Sequence, residues 1–84
     1  MSDTDLLEIV RGVCVDVLGV EPDEVEPGSL FRDDLEADSL DFAELGMALE
    51  DRAGASIPDD ELKGAKTVGD VVELLQRLLA GQHV

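Results

Sequence analysis

Apolar side chains recur every three or four residues in three long segments of the chain, which is the spacing of one face of an α-helix. These stripes are Leu6, Val10, Val13 and Val17, flanked by Ile9 and Cys14; Phe42, Leu45 and Leu49; and Val68, Val71, Val72, Leu75, Leu78 and Leu79. A shorter segment around Leu62 has one apolar residue that can point inward. The pattern predicts an all-α fold, a small four-helix bundle in which the stripes meet.

Capping residues and helix breakers limit the predicted helices. The helices run from Asp3 or Thr4 to Leu18, from Ser39 to about Ala53, from Pro58 to about Gly64, and from Thr67, as N-cap, to Gly81. Gly19 and Gly54 follow the first two helices, where glycine commonly ends a helix. Asp70, three residues after Thr67, gives a partial capping box. Residues 1–84 are predicted to form one domain with a short flexible tail at about 81–84.

A long connection, residues 20–37, separates the first two helices and contains Pro22, Pro27 and Gly28. Loops of this length in compact domains are usually functional or held down by their own apolar residues. The residues available for anchoring are Val20, Val25, Leu30, Phe31 and Leu35, and Pro22-Asp23-Glu24-Val25 is expected to form a short helical turn. The loop is therefore predicted to deliver Ser39, at the start of the second helix, to the surface.

The charge of the chain is strongly negative, with 21 Asp and Glu residues against 6 Lys and Arg and a formal net charge of -15. Such a field excludes nucleic acid, whose binding depends on cationic contacts to phosphate, and it disfavours anionic membrane surfaces. It favours proteins that present Lys and Arg, and it speeds their encounter with the chain. Basic-faced proteins are the predicted partners.

The single cysteine, Cys14, excludes an intrachain disulfide, and its place beside the first apolar stripe predicts a buried thiol. The first residues are acidic where a signal peptide would be basic, and no apolar run has the length needed to span a bilayer. The sequence therefore predicts a cytoplasmic protein, which we expect to be a monomer.

The residues best suited to catalysis are poorly placed for it. His83, the only histidine, lies in the predicted tail, Cys14 is predicted to lie in the core, and Ser39 lacks the glycines of a nucleophile elbow. The residues before Ser39 also lack the alternating oxygen ligands and central glycine of a calcium loop. The sequence predicts neither an enzyme nor a metal site.

Two positions of the second helix leave alternatives open. Serine is a preferred N-cap, so Ser39 either caps the helix or offers a free surface hydroxyl for covalent modification. Gly46 lies in the middle of the helix, where glycine costs about 1 kcal/mol relative to alanine. Its presence indicates either close helix packing or extra room for a cargo chain beside the modified residue.

The stretch Leu35-Glu36-Ala37-Asp38-Ser39-Leu40-Asp41-Phe42, with the acidic helix after it, resembles the modification site and second helix of acyl carrier proteins. Leu18-Gly19-Val20 with Pro22 and Val25, Ile57-Pro58-Asp59-Asp60-Glu61, and Thr67-Val68 resemble the family's first-helix end, third-helix start and fourth-helix start. The resemblance implies a bundle of the acyl-carrier type, with a long first loop and a short third helix. It also implies that Ser39 carries a 4′-phosphopantetheine arm, transferred from coenzyme A by a phosphopantetheinyl transferase. The thiol of that arm holds acyl groups as thioesters.

The resemblance further implies a carrier of a dissociated fatty-acid or polyketide biosynthesis system, which presents acyl intermediates to a ketosynthase, an acyltransferase and other basic-faced enzymes. In the family, the second helix docks on Lys and Arg patches of such enzymes. The matching positions here are Asp38, Leu40, Asp41, Ala43, Glu44, Met47, Glu50 and Asp51. Small apolar anchors surrounded by carboxylates suit such an interface. Two other functions stay open: an aminoacyl or peptidyl carrier, and an unmodified acidic helical adaptor.

The chain departs from the family at Glu36, where acyl carrier proteins usually have glycine. The change is expected either to alter the turn before Ser39 or to add a carboxylate aimed at a particular partner. Backbone N–H groups at the helix start would favour a phosphate on Ser39. Asp38 and Asp41 would repel that phosphate and are expected to push the arm outward, which makes sense if both acids serve a basic partner.

Overall fold

The structure, a computed structural model, describes residues 3–81, which form four α-helices and one short 3₁₀ turn. Helix α1 spans Asp3–Leu18, the 3₁₀ turn Pro22–Glu24, α2 Ser39–Ala53, α3 Asp59–Gly64 and α4 Val68–Gly81. The predicted all-α bundle, with its long first loop and short third helix, is confirmed. The end of the predicted tail, with His83, lies outside the described residues. Among helices α1–α4, none combines the length and the apolar composition that a membrane crossing requires.

One core buries most of the predicted apolar stripes. Helix α1 packs against both α2 and α4, and α3 packs against the same two helices. The largest fully buried side chains are Phe31, Leu6, Leu45, Leu49, Leu75, Val10, Val13, Val25, Val68 and Val71. Each such side chain contributes roughly 1.5–3 kcal/mol to folding relative to an exposed position. Cys14 is buried as predicted, and burial raises the pKa of its thiol to about 11.

The helices begin and end at the predicted capping residues and glycines, with one difference. Gly19 and Gly54 adopt left-handed backbone with φ of +70°, and each donates its N–H to the helix before it. Thr67 and Asp70 exchange reciprocal hydrogen bonds of 3.1 Å at the start of α4, which confirms the capping box. The prediction that Pro58 is the first helical residue is wrong, because its ψ of 133° is extended. Pro58 is the N-cap, and α3 begins one residue later.

The long loop is tied to the connection that precedes α4. Three backbone hydrogen bonds join Phe31 N to Lys66 O (3.1 Å), Val68 N to Ser29 O (3.0 Å) and Gly69 N to Pro27 O (2.8 Å). Leu30 and Thr67 form an isolated antiparallel bridge between the same two segments. A Cβ on Gly69 would lie 3.0 Å from Pro27 O, so only glycine permits this approach without a shift of the loop.

Side chains hold the rest of the loop in place. Val25, Phe31 and Leu35 are buried, as predicted, whereas Leu30 is 36% exposed and does not anchor the loop. The difference arises because the bridge to Thr67 holds the backbone of Leu30 at the surface. From α1, the Arg11 guanidinium donates to Val25 O through Nε (3.2 Å) and Nη2 (3.0 Å). The loop is therefore fixed to both α1 and the start of α4.

The structure decides between the two explanations for the glycine inside α2. Gly46 is buried, and a Cβ at this position would lie 2.9 Å from Leu62 Cδ2. The space beside Gly46 is occupied by a buried side chain of α3. Gly46 therefore serves the close packing of α2 against α3, and it leaves no room there for a cargo chain.

Glu36, in the turn before α2, has a backbone conformation that is unusual for a residue with a side chain. This residue has a φ of +57°, in the left-handed region that favours glycine. The turn is closed by backbone hydrogen bonds from Leu35 N to Leu30 O (3.1 Å) and from Ala37 N to Phe31 O (2.8 Å). Glu36 is exposed and keeps the backbone conformation natural to the glycine that it replaces. A side chain in this conformation costs on the order of 1 kcal/mol.

We expect Asp70→Asn to destabilise the protein only where the carboxylate is ionised, because Asn keeps an acceptor oxygen but no charge. Hydrogen bonds from the backbone N–H groups of Lys66 and Thr67 lower the pKa of Asp70 below its usual 3.8. A carboxylate whose pKa is lower in the folded than in the unfolded state stabilises the fold. This stabilisation is complete above the unfolded-state pKa and is lost as the pH falls through the folded-state pKa. Urea unfolding of both proteins should therefore give different free energies above about pH 5 that converge as the pH falls through the folded-state pKa of Asp70. A difference independent of pH would contradict this account.

We expect Glu36→Gly to raise the free energy of unfolding by up to about 0.5 kcal/mol, because relief of the left-handed strain exceeds the entropy that glycine adds to the unfolded chain. Urea denaturation measures the change. Glu36→Ala is the matched control, since it removes the same carboxylate but keeps a Cβ. Equal stabilisation by both variants would assign the effect to charge and not to backbone strain.

Candidate functional site

Ser39 is the first residue of α2, and its side chain is exposed. The residue before it, Asp38, has extended backbone (φ -100°, ψ -172°) and is the N-cap. Asp38 Oδ1 accepts from Asp41 N at 2.9 Å, and Asp41 Oδ2 accepts from Asp38 N at 3.1 Å. Within residues 3–81 the Ser39 hydroxyl takes part in no hydrogen bond. The alternative in which Ser39 caps the helix is therefore wrong, and its hydroxyl is free.

The capping box gives Asp38 and Asp41 a structural role that was not predicted from the sequence. Each carboxylate accepts a backbone N–H that the helix start would otherwise leave unpaired. The signal was present in the sequence, because an N-cap acid followed three residues later by a second acid has the spacing of a capping box. The acids on either side of Ser39 thus stabilise the helix that presents it, whatever else they bind.

The predicted partner residues divide into two groups. Leu40 and Met47 are 69% and 66% exposed, and Ala43 and Glu44 between them are exposed as well. These four residues lie at positions i, i+3, i+4 and i+7, so they share one side of α2, which we call the α2 outer face. Asp38 and Asp51 are also exposed, near the two ends of the helix.

The second group, Asp41 and Glu50, is half-buried and engaged within the fold. Asp41 belongs to the capping box. Glu50 Oε2 accepts from Ile57 N at 3.1 Å and so ties α2 to the connection before α3. The carboxylates of both residues bind backbone N–H groups of this chain, which leaves Glu44 as the free carboxylate of the α2 outer face.

A pocket of about 440 Å³ lies beside Ser39. We call it the basic pocket, because it is lined by Leu30, Phe31, Arg32, Asp33, Ser39, Phe42, Lys63, Ala65 and Lys66. Three of the chain's 6 cationic side chains therefore lie around one pocket in a protein of net charge -15. Sequence reasoning did not find this site, because Arg32 is far in sequence from the two lysines. The hydrogen bond from Phe31 N to Lys66 O brings their segments together.

Two aromatic rings separate the basic pocket from the core. Phe31 and Phe42 meet edge to face, with ring centroids 5.1 Å apart and an interplanar angle of 64°. Both rings line the pocket, and Phe31 is only 2% exposed. Such aromatic pairs stabilise beyond their buried area. The pair gives the pocket an apolar wall on the side of the core.

Comparison with known proteins identifies the family. The family model described as "Phosphopantetheine attachment site" matches residues 8–75, which include Ser39. An acyl carrier protein of Thermosynechococcus vestitus is 44% identical over 80 residues, covering 95% of this chain and 99% of that protein. The meromycolate extension acyl carrier protein of Mycolicibacterium aurum is 46% identical over 74 residues, covering 84% of this chain and 76% of that protein.

The fold agrees with this assignment. The solved structure of the acyl carrier protein from Enterococcus faecalis superposes with a TM-score of 0.75 and 29% sequence identity, covering 93% of this chain and 99% of that one. In acyl carrier proteins the matched domain is the site at which 4′-phosphopantetheine is covalently attached. Since the family match spans most of the chain and the relatives align along nearly all of it, the chain belongs to the acyl carrier protein family.

Proposed function

We propose that the protein holds acyl intermediates as thioesters on a 4′-phosphopantetheine arm attached to Ser39 Oγ. The observation that carries this proposal is the exposed Ser39 hydroxyl, which is left free because Asp38 caps the helix. The first turn of α2 also favours a phosphate at this position, since its N–H groups and the helix dipole point toward it. The arm would supply a terminal thiol, on which acyl groups are held as thioesters.

Attachment requires little chemistry from this chain. Ser39 Oγ would form the new bond to phosphorus as the bond between the phosphorus and the adenosine bisphosphate portion of coenzyme A breaks. The hydroxyl proton needs a base, and among the described residues no side chain is hydrogen-bonded to the Ser39 hydroxyl. We therefore assign the base to the phosphopantetheinyl transferase. The chain's own contribution is to present the hydroxyl on a rigid, capped helix start.

The α2 outer face is the surface that we assign to partner enzymes. Leu40 and Met47 are its apolar anchors, and Glu44 lies between them with a free carboxylate. Large exposed apolar side chains beside acidic ones suit a partner with an apolar contact and surrounding Lys or Arg. The net charge of -15 would steer such basic-faced enzymes toward the chain. We propose a phosphopantetheinyl transferase, a ketosynthase and an acyltransferase as these partners.

We place the carrier in a dissociated fatty-acid or polyketide system. Support comes from the relative whose name specifies meromycolate extension, a carrier 46% identical over 74 residues. The net charge of -15 and the free carboxylate of Glu44 on the α2 outer face support the same assignment. Separate enzymes must find a free carrier by diffusion, and electrostatic attraction raises their association rate.

We expect incubation with coenzyme A and a broad-specificity phosphopantetheinyl transferase to add one phosphopantetheine mass to the wild-type protein and none to Ser39→Ala. Intact-protein mass spectrometry measures the gain. Ser56→Ala is the matched control, because Ser56 is also exposed and lies outside the helix start, and it should be labelled like the wild type. Labelling of Ser39→Ala would refute the proposed attachment site.

The same samples provide a second measurement. The native labelled protein should gain one thiol that reacts with a thiol reagent, whereas Cys14 stays unreactive because it is buried and its thiol has a pKa of about 11. An unlabelled native protein that already reacts would show that Cys14 is accessible.

We expect Glu44→Lys to lower kcat/KM of the transferase about tenfold, because a close charge pair at an interface turns into repulsion. Steady-state kinetics at low and high salt measure the effect, which should shrink as salt screens the charges. Glu73→Lys is the matched control, since it makes the same change of net charge at an exposed position of α4. Equal losses in both variants would mean that the overall charge, and not the α2 outer face, governs the encounter.

A further inference from the structure

Among the described residues, the cations of the basic pocket form no direct ion pair, although Lys66 attracts the Asp70 carboxylate at longer range. In the part of the chain that the structure describes, ion pairs join Arg11 to Glu8 and Arg52 to Asp16. Arg32, Lys63 and Lys66 take part in neither, although carboxylates greatly outnumber cations in the chain. All three residues are exposed. An acidic protein thus keeps three positive charges, none of them in a direct ion pair, around the pocket beside its proposed attachment site.

The pocket combines this charge with apolar walls. Leu30, Phe31, Phe42 and Ala65 supply apolar lining. Its volume of about 440 Å³ is at the small end of ligand pockets, and the Phe31–Phe42 pair closes it toward the core. A matching ligand is short, has an apolar stem and ends in a negative charge.

The charges indicate where that negative group lies on the ligand. Three cations and one carboxylate, Asp33, line the pocket and leave two positive charges unbalanced. A phosphodiester on Ser39 would carry one negative charge and so would balance only one of them. Asp38 and Asp41 keep their negative charges in the capping box, but neither residue lines the pocket. The remaining positive charge calls for a second anion, farther along the arm.

We propose that the basic pocket binds the end of the arm when it carries a short acyl group with a free terminal carboxylate. This inference rests on the proposed attachment of the arm to Ser39. Arg32, Lys63 and Lys66 bind the carboxylate, and the apolar lining contacts the carbons of the acyl group. The pocket therefore favours a dicarboxylic acyl group over an uncharged acyl group of the same length.

Two physical effects assist this binding. The tether keeps the carboxylate near the pocket at an effective concentration in the millimolar range, so weak, exposed ion pairs are sufficient. Asp38 and Asp41 repel a negative arm from the helix start. The arm is thus displaced from the acidic helix toward the basic pocket, where its charge is compensated.

The test compares two four-carbon cargoes. The transferase loads the protein from succinyl-coenzyme A, from butyryl-coenzyme A or from coenzyme A alone, and mass spectrometry verifies each product. Thermal unfolding at low salt should give a Tm about 2–4 °C higher for the succinyl form than for the butyryl form. The difference should disappear in R32Q/K63Q/K66Q. It should persist in Arg77→Gln, which removes an exposed cation that does not line the pocket.

Each outcome has a definite meaning. Equal Tm values for the correctly loaded succinyl and butyryl forms would overturn the pocket proposal and leave the carrier function standing. A cation-dependent stabilisation already complete with the unacylated arm would also overturn it, because the phosphodiester would then be the ligand. Failure of any form to load at Ser39 would instead reject the proposed function. Should the triple variant not fold, Lys63→Gln alone should reduce the difference, and an unreduced difference would count against the proposal.

Discussion

The position of Ser39 depends on the backbone pairing between the long loop and the segment before α4. Hydrogen bonds from Phe31, Val68 and Gly69 make residues 27–31 and 66–69 one unit, although α2 and α3 separate them along the chain. The pairing fixes the turn at Glu36 that leads into α2. It also places Arg32 beside the end of α3, so the basic pocket exists only because the loop is held there.

At the start of α2, the residues that cap the helix are different from the residue that is proposed to be modified. Asp38 and Asp41 accept hydrogen bonds from backbone N–H groups at the helix start, and the side chain of Ser39 between them makes no hydrogen bond in the described fold. A serine that capped the helix would lose that interaction on modification, and the helix would be weakened whenever the arm was attached. The arrangement therefore allows the hydroxyl to be modified without a cost to the cap.

The sequence predicted the helices well because their apolar stripes are long and regular. Their ends were correct to within about one residue. Helix α3 begins one residue after the predicted Pro58, since proline is accepted both at the N-cap and at the first helical position. The alternative in which Ser39 caps α2 was wrong because the neighbouring Asp38 is the N-cap. The prediction that the Leu30 side chain anchors the loop was wrong because Leu30 forms a long-range backbone bridge with Thr67. The basic pocket was not predictable, because no local pattern specifies which loop meets α3.

Gly69, in the first turn of α4, contacts the long loop that leads to Ser39. Gly69 lies thirty positions from Ser39 in the sequence. The carbonyl oxygen of Pro27 is so close to Gly69 that a side chain there would shift the loop. The shift would fall on the paired loop that leads, through Phe31 and the turn at Glu36, into α2. A substitution at Gly69 is therefore expected to disturb the loop that positions Ser39, even with every residue around the serine kept the same.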